Sequence, residues 1–245
     1  MSARVTFATA RRVLHQLHHD RRTLAMLLLV PCILISLLAW LFSDSPEVFD
    51  RIGPALLGIF PFITMFLVTS VATLRERTSG TLERLLTMPM HKLDLLVGYA
   101  LAFGVIAMLQ ALLAAGLALW VLGLDVAGPA WAIVLVAVAD ALLGMALGLL
   151  VSAFASSEFQ AVQFLPAVIL PQFLLCGLLV QRDAMPSALS AISDWLPLSY
   201  AVDAMGELSR SPDFTGAVAR NVIIVAGCAL AALALGAVTL RRRTA

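Results

Sequence analysis

Apolar residues fall in six long blocks along this chain, separated by short polar or charged stretches. The blocks cover 24–42, 52–74, 95–122, 130–154, 161–180 and 217–240. As helices, all six are long enough to cross a hydrocarbon core of roughly 30 Å. Between the second and third blocks lies a stretch unlike any other in the interior. Residues 75–94 are dense in both signs of charge, and within them Leu82, Leu85, Leu86 and Pro89 stand at i, i+3, i+4 and i+7. That spacing predicts a short helix with a narrow apolar stripe and Glu83, Arg84 and Thr87 off it. Ser79 and Gly80 are its candidate start, and Pro89 its stop.

The ends are patterned too. Over 1–23, Phe7, Ala10, Leu14 and Leu17 recur at helical spacing among Arg4, Arg11, Arg12, Arg21 and Arg22. This predicts an amphipathic helix on the membrane surface, its basic side among anionic head groups. The tight turn at 123–129 joins the third and fourth spans. The longest non-spanning segment, 181–216, predicts short helices over 185–195 and 200–208, broken at Pro186, Pro197 and Pro212. Trp195 and Tyr200 suit an interfacial depth there. The expected fold class is an all-α integral membrane protein of six transmembrane helices, forming one membrane domain over 1–245. A surface helix precedes the spans, a cytoplasmic helix follows the second, and short extracellular helices lie between the fifth and sixth.

Composition agrees with lipid as the solvent. Hydrophobic residues make up 61% of the 245 and charged residues 13%, against about 25% charged in a soluble domain. A net charge of +1 offers nothing to nucleic acid. Cys32, Cys176 and Cys228 all sit in apolar runs, without the spacing of a zinc site or a disulfide framework. No cleavable leader is expected, because the basic start is long and the apolar run after it lacks a small-residue exit. Six spans put both termini on one side. The N-terminal arginines, Arg75, Arg77, Arg84, Lys92 and Arg241 to Arg243 then make twelve cations on that side. Arg51, Arg182, Arg210 and Arg220 make four on the other. The bias predicts cytoplasmic termini and a cytoplasmic 75–94 element.

Candidate chemistry is sparse. No phosphate-binding Gly-x-x-x-x-Gly-Lys-Ser/Thr loop exists, and the only lysine is Lys92. His15, His18, His19 and His91 all fall outside the spans, which argues against intramembrane His chemistry or a His metal site within the bilayer; His15, His18 and His19 have the donors for a metal, but a solvated polar face is the expected reading. Asp140 is the one carboxylate deep in a span, where it must face protein or water; it is either a substrate or proton contact or a partner for a neighbouring helix. Gly144, Gly148 and Ser152 form a small-residue stripe that permits close helix packing. The fifth span combines Gln160, Gln163 and Gln172 with Pro166 and Pro171. The prolines free backbone carbonyls that need polar company, so Gln163, Pro166, Pro171 and Gln172 join Asp140 as candidates for a substrate pathway or subunit interface.

Two stretches carry a family likeness. Glu76-Arg77-Thr78-Ser79-Gly80-Thr81-Leu82-Glu83-Arg84-Leu85-Leu86, with Pro89 after it, resembles the loop following the second span of ABC-2 type permeases, the membrane subunits of daunorubicin-resistance-like exporters. Phe164-Leu165-Pro166, Pro171 through Gly177, Met185-Pro186 and Trp195 through Ala204 resemble that family's fifth span and outer loop. Met205, Gly206 and Glu207 stand where the family often has an arginine. The resemblance implies a permease of the bacterial plasma membrane, moving a hydrophobic or amphipathic drug or lipid outward. It implies a second copy or a similar permease as partner, and a separate ABC ATPase that binds ATP and Mg, with no cofactor in this chain and no catalysis of its own. Under it, Glu76, Arg77, Gly80, Thr81, Leu82, Glu83, Arg84, Leu85 and Leu86 form the coupling helix that docks on the ATPase. The residues alone leave two alternatives, a proton-coupled secondary transporter using Asp140 and a membrane enzyme of lipid metabolism.

Overall fold

The computed structural model describes residues 2–78 and 92–239. Among the described residues there are nine α-helices and no strand. They are α1 (Ala3–His19), α2 (Arg21–Leu41), α3 (Pro46–Thr78), α4 (Lys92–Gly116), α5 (Ala130–Ser152), α6 (Glu158–Leu175), α7 (Ser187–Ser193), α8 (Pro197–Arg210) and α9 (Gly216–Thr239). Six of them, α2 to α6 and α9, are long and apolar enough to cross a membrane. This is the expected all-helical, six-span architecture with an amphipathic first helix and short helices between the last two spans.

The centre is the pair α3 and α5. Phe62, Met65 and Phe66 of α3 and Ile133 and Leu143 of α5 are fully buried. The two backbones touch where the glycines lie. A Cβ on Gly144 would stand 2.2 Å from the Phe62 carbonyl oxygen, and one on Gly148 2.5 Å from that of Phe66. The small-residue stripe is therefore a helix–helix contact surface. Helix α1 packs on α4, and α2 packs on α3 and, to a lesser extent, on α4; α9 and α8 cover α5; α6 packs along α3 with most of its surface exposed.

Several elements depart from the expected limits. At 33 residues, α3 is roughly 50 Å long and outruns a hydrocarbon core. Arg75 to Thr78 are thus its last turn, and Lys92 to Asp94 open α4, so the separate element between the spans narrows to 79–91, outside the described residues. The fifth span stops at Leu175, short of 180, because the chain turns at Gly177, whose φ of +97° favours a residue without Cβ. On α1 the buried side is Thr6, Thr9, Ala10, Val13 and Leu17, while Phe7 is 68% exposed. The helix packs on α4, where the Thr9 side chain comes within 2.7 Å of the Cβ that Gly98 lacks. Close approach to that glycine, and not apolar periodicity alone, chose the buried face.

Proline chemistry explains one polar residue that the sequence reading passed over. Pro31 sits inside α2 and has no N–H to give the Leu27 carbonyl four residues earlier. Gln110 of α4, fully buried, supplies the missing donor: its Nε2 donates to Leu27 O and to Thr64 Oγ1 of α3, both at 2.6 Å. One side chain thus ties three spans in a medium where water cannot replace it.

At the end far from α1, the 122–129 turn docks on α8. Gly123 takes φ +69°, Asp125 N donates to Asp50 Oδ1 at 2.9 Å, and Gly128 N donates to Leu208 O at 2.8 Å. Arg182 pairs with Asp194 and Asp203 and lies over the Tyr200 ring, 5.3 Å from its centroid. Ser193 Oγ donates to Leu175 O at 2.8 Å. These bonds gather α7, α8 and the end of α6 into one cap. Pro197 opens α8, where its missing N–H costs nothing.

Gln110→Leu should destabilise the protein by about 1 kcal/mol by orphaning the Leu27 carbonyl. Pro31→Ala restores a backbone donor to that carbonyl, so the same substitution should cost clearly less in that background. Thermal unfolding of the four proteins of this cycle in detergent measures the difference; equal costs in both backgrounds would exclude the coupling.

Candidate functional site

The last turn of α3 leads directly into residues 79–91, and each of its charged side chains is held by a different neighbour. Arg75 Nε donates to Glu158 Oε1 at the start of α6, at 3.0 Å. Arg77 donates to the carbonyl of Ser152 at the end of α5, a place where a helix leaves its carbonyls unpaired and favours a cation. Glu76 accepts two hydrogen bonds from Arg12 of α1, at 3.0 and 3.3 Å. Arg12 also donates to Tyr99 Oη of α4 at 2.9 Å and lies 5.8 Å from that ring's centroid.

The same helix α1 holds the other side of the gap. Ser2 N donates to Asp94 Oδ1 in the first turn of α4 at 3.1 Å. The two helices that enter and leave 79–91 are therefore joined through α1. A planar guanidinium suits this position, because it can grip a carboxylate with two donors and still lie against an aromatic ring.

Beside this junction is a cavity of about 370 Å³. Leu17 and Met26 from the α1–α2 corner, Val68 and Val71 of α3, Phe103 of α4 and Val162 of α6 make apolar walls. Gln16, Asp20, Arg75 and Glu76 lie on its rim. Asp20 caps α2, accepting from Thr23 N at 3.2 Å and Thr23 Oγ1 at 2.7 Å. The side-chain bond from Thr23, and then the backbone one, hold its carboxyl below the ordinary aspartate value. An apolar chamber with a charged rim is chemically suited to an amphipathic guest.

The residues expected to act together fall in three places. Glu76 and Arg77 belong to the α3 turn and are bonded within the chain, whereas Gly80, Thr81, Leu82, Glu83, Arg84, Leu85 and Leu86 lie outside the described residues. Asp140 is fully buried midway along α5. A Cβ on Gly58 of α3 would stand 3.0 Å from its Oδ2 and 3.8 Å from the Met205 methyl of α8. Neither carboxyl oxygen has a hydrogen-bond partner among the described residues. Gln163, Pro166 and Pro171 are on the exposed side of α6, and Gln172 is buried with its Nε2 donating to Val168 O at 3.2 Å. Asp140 thus faces α3 and α8, inside the chain, while Gln163, Pro166 and Pro171 face away from it.

Sequence reading missed Arg12 and Tyr99, whose partners are 64 and 87 residues distant from Arg12. It also missed Thr69, Ser70 and Thr73, which put three buried hydroxyls without partners among the described residues on the inner part of α3. Their signal was a polar run, Thr69-Ser70-Val71-Ala72-Thr73, inside an otherwise apolar span.

Arg12→Lys should keep the charge yet lose the two-donor grip. The Arg12–Glu76 coupling in a double-mutant cycle with Glu76→Gln, read from thermal unfolding, should be about 1–2 kcal/mol for this half-buried pair. A coupling near zero would reduce the contact to a surface ion pair.

Comparison with known proteins places this arrangement. The model of the ABC-2 type transporter family matches residues 4–207. The chain is 26% identical over 191 residues to the probable multidrug ABC transporter permease YbhS of Escherichia coli K12, covering 78% of this chain and 51% of that one. It is 27% identical over 150 residues to the probable multidrug ABC transporter permease YbhR of the same organism, covering 61% and 41%. To the linearmycin resistance permease protein LnrN of Bacillus subtilis it is 25% identical over 175 residues, covering 71% and 44%. The chain spans about half the length of these relatives. With six helices able to cross a membrane and a family match over most of its length, the chain belongs to the ABC-2 type transporter family.

Proposed function

We propose that this chain is the membrane half of an ATP-driven exporter of hydrophobic or amphipathic molecules, drug or lipid. Residues 79–91 dock on a separate ABC ATPase, which binds ATP and Mg. The carrying observation is the last turn of α3, where Glu76, Arg75 and Arg77 tie the helix to α1, α6 and α5 at the point where it enters 79–91. A push on that segment moves α3, and α3 cannot move without the helices bonded to it. The excess of Lys and Arg at this end, twelve against four, supports a cytoplasmic orientation in a bacterial plasma membrane. The exposed side of α6, with Gln163, Pro166 and Pro171, is the surface offered to a second copy or a similar permease.

The 370 Å³ cavity on the same end gives such a cargo a place to enter. Its apolar walls suit the multidrug and linearmycin-resistance names of the relatives, and its rim carries both signs of charge. Asp140 favours a second reading, proton-coupled transport, because it is a buried carboxyl with no partner among the described residues. A single carboxyl with no buried base beside it makes a poor relay, and the ATP-driven reading is the stronger.

In a complex reconstituted with its partner ABC ATPase, Glu83→Arg or Leu86→Asp should weaken ATPase capture by about thirtyfold or more, the cost of roughly 2 kcal/mol at a desolvated interface charge. Thermal unfolding of the permease itself should stay unchanged. Wild-type capture by both variants would remove 79–91 from the interface.

For Asp140, proteoliposomes holding the permease without ATPase should show no cargo flux under an imposed proton gradient, and Asp140→Asn should leave that null result unchanged. Proton-driven flux that Asp140→Asn abolishes would install the second reading.

A further inference from the structure

On the face of α2 turned away from the 370 Å³ cavity there is a second hollow, of about 550 Å³. Leu24, Leu28, Leu29 and Cys32 of α2, Leu113 of α4 and Leu117 in the turn just after α4 line it, with His18 and Arg21 at its mouth. Its walls are apolar throughout, and its mouth is basic. Asp20, the carboxylate next in sequence, is turned to Thr23 and lines the other cavity instead. Among the described residues no carboxylate pairs with Arg21, which is exposed.

The length of the hollow is informative. From Arg21 to Cys32 α2 descends about 16 Å, half of a hydrocarbon core of roughly 30 Å. A cation at the interface above an apolar slot one leaflet deep matches the two halves of one molecule, a phosphate head and its acyl chain. Basic pockets between spans are where anionic lipid heads settle. We infer that this groove is a binding site for one anionic phospholipid of the leaflet on the α1 side, its phosphate on Arg21 and an acyl chain between α2 and α4. A lipid seated there would brace α2, which is otherwise little buried against the rest of the chain.

Native mass spectrometry of the full detergent-solubilised chain tests this with dioleoylphosphatidylglycerol and dioleoylphosphatidylcholine, which share their acyl chains. The wild type should retain the anionic lipid over the zwitterionic one by about fivefold, the contribution of roughly one interfacial cation. Arg21→Gln should erase that preference, Arg21→Lys should keep it, and Leu28→Trp, which fills the slot, should lower retention of both lipids. Equal retention of the two lipids by the wild type overturns the site, as does a preference that survives Arg21→Gln. Displacement by glycerol phosphate as effective as by intact lipid would make it a soluble-anion site and also overturn it. Loss of the lipid on dimer formation would make the groove a subunit contact, with the same consequence.

Discussion

Lipid tails are as apolar as leucine, so burying leucine against leucine gives little drive for helices to associate within a bilayer. What holds this chain together is the close approach of α3 and α5 at Gly144 and Gly148, where no room remains even for a methyl group. Dispersion contacts are short-ranged and are gained only when backbones come this near. Once α3 and α5 are locked, the rest has a frame: α4 and α9 pack on α5, α8 caps the pair, and α6 lies along α3. The charged last turn of α3 meets the ends of α5 and α6 because those ends are held at its level.

The second constraint is that a polar group inside a membrane needs a partner from the protein. Pro31 removes a donor from α2, and Gln110 returns one from α4 while also reaching Thr64 of α3. Arg12 does a comparable service at the interface, joining α1, α3 and α4 through Glu76 and Tyr99. Against this background the unpartnered groups stand out. Asp140, Thr69, Ser70 and Thr73 are buried along the inner helices without hydrogen-bond partners among the described residues. Buried polar atoms of that kind are costly to keep, and all four lie on α3 and α5, the two helices at the centre of the bundle.

Much of the architecture could be read directly from residue order. Six apolar blocks, the tight turn at Gly123, the proline-bounded short helices and the Gly144–Gly148 stripe each depend on local spacing, and local spacing is visible in a sequence. Which side of α1 packs on the protein was not legible, because that contact is decided by Gly98 on another helix while Phe7 stays exposed. The limits of the charged element shifted for a similar reason: α3 continues to Thr78 because its terminal side chains find partners on α1, α5 and α6. The candidate pathway residues were grouped as polar side chains or as prolines that free carbonyls, yet Asp140 points into the bundle and Gln163, Pro166 and Pro171 point out of it, since helix rotation is set by neighbours.

By itself, then, the sequence determined the class of solvent, the number of spans, the breaks between them and the family likeness, all of which follow from composition and short-range periodicity. Only the tertiary structure decided which polar residues meet. Arg12 finds Glu76 and Tyr99, Gln110 finds Leu27, Arg182 finds Asp194 and Asp203, and Asp140 is enclosed without a partner among the described residues. Nearly all these pairings span more than one helix, and their geometry depends on crossing angles and rotations that no single helix encodes.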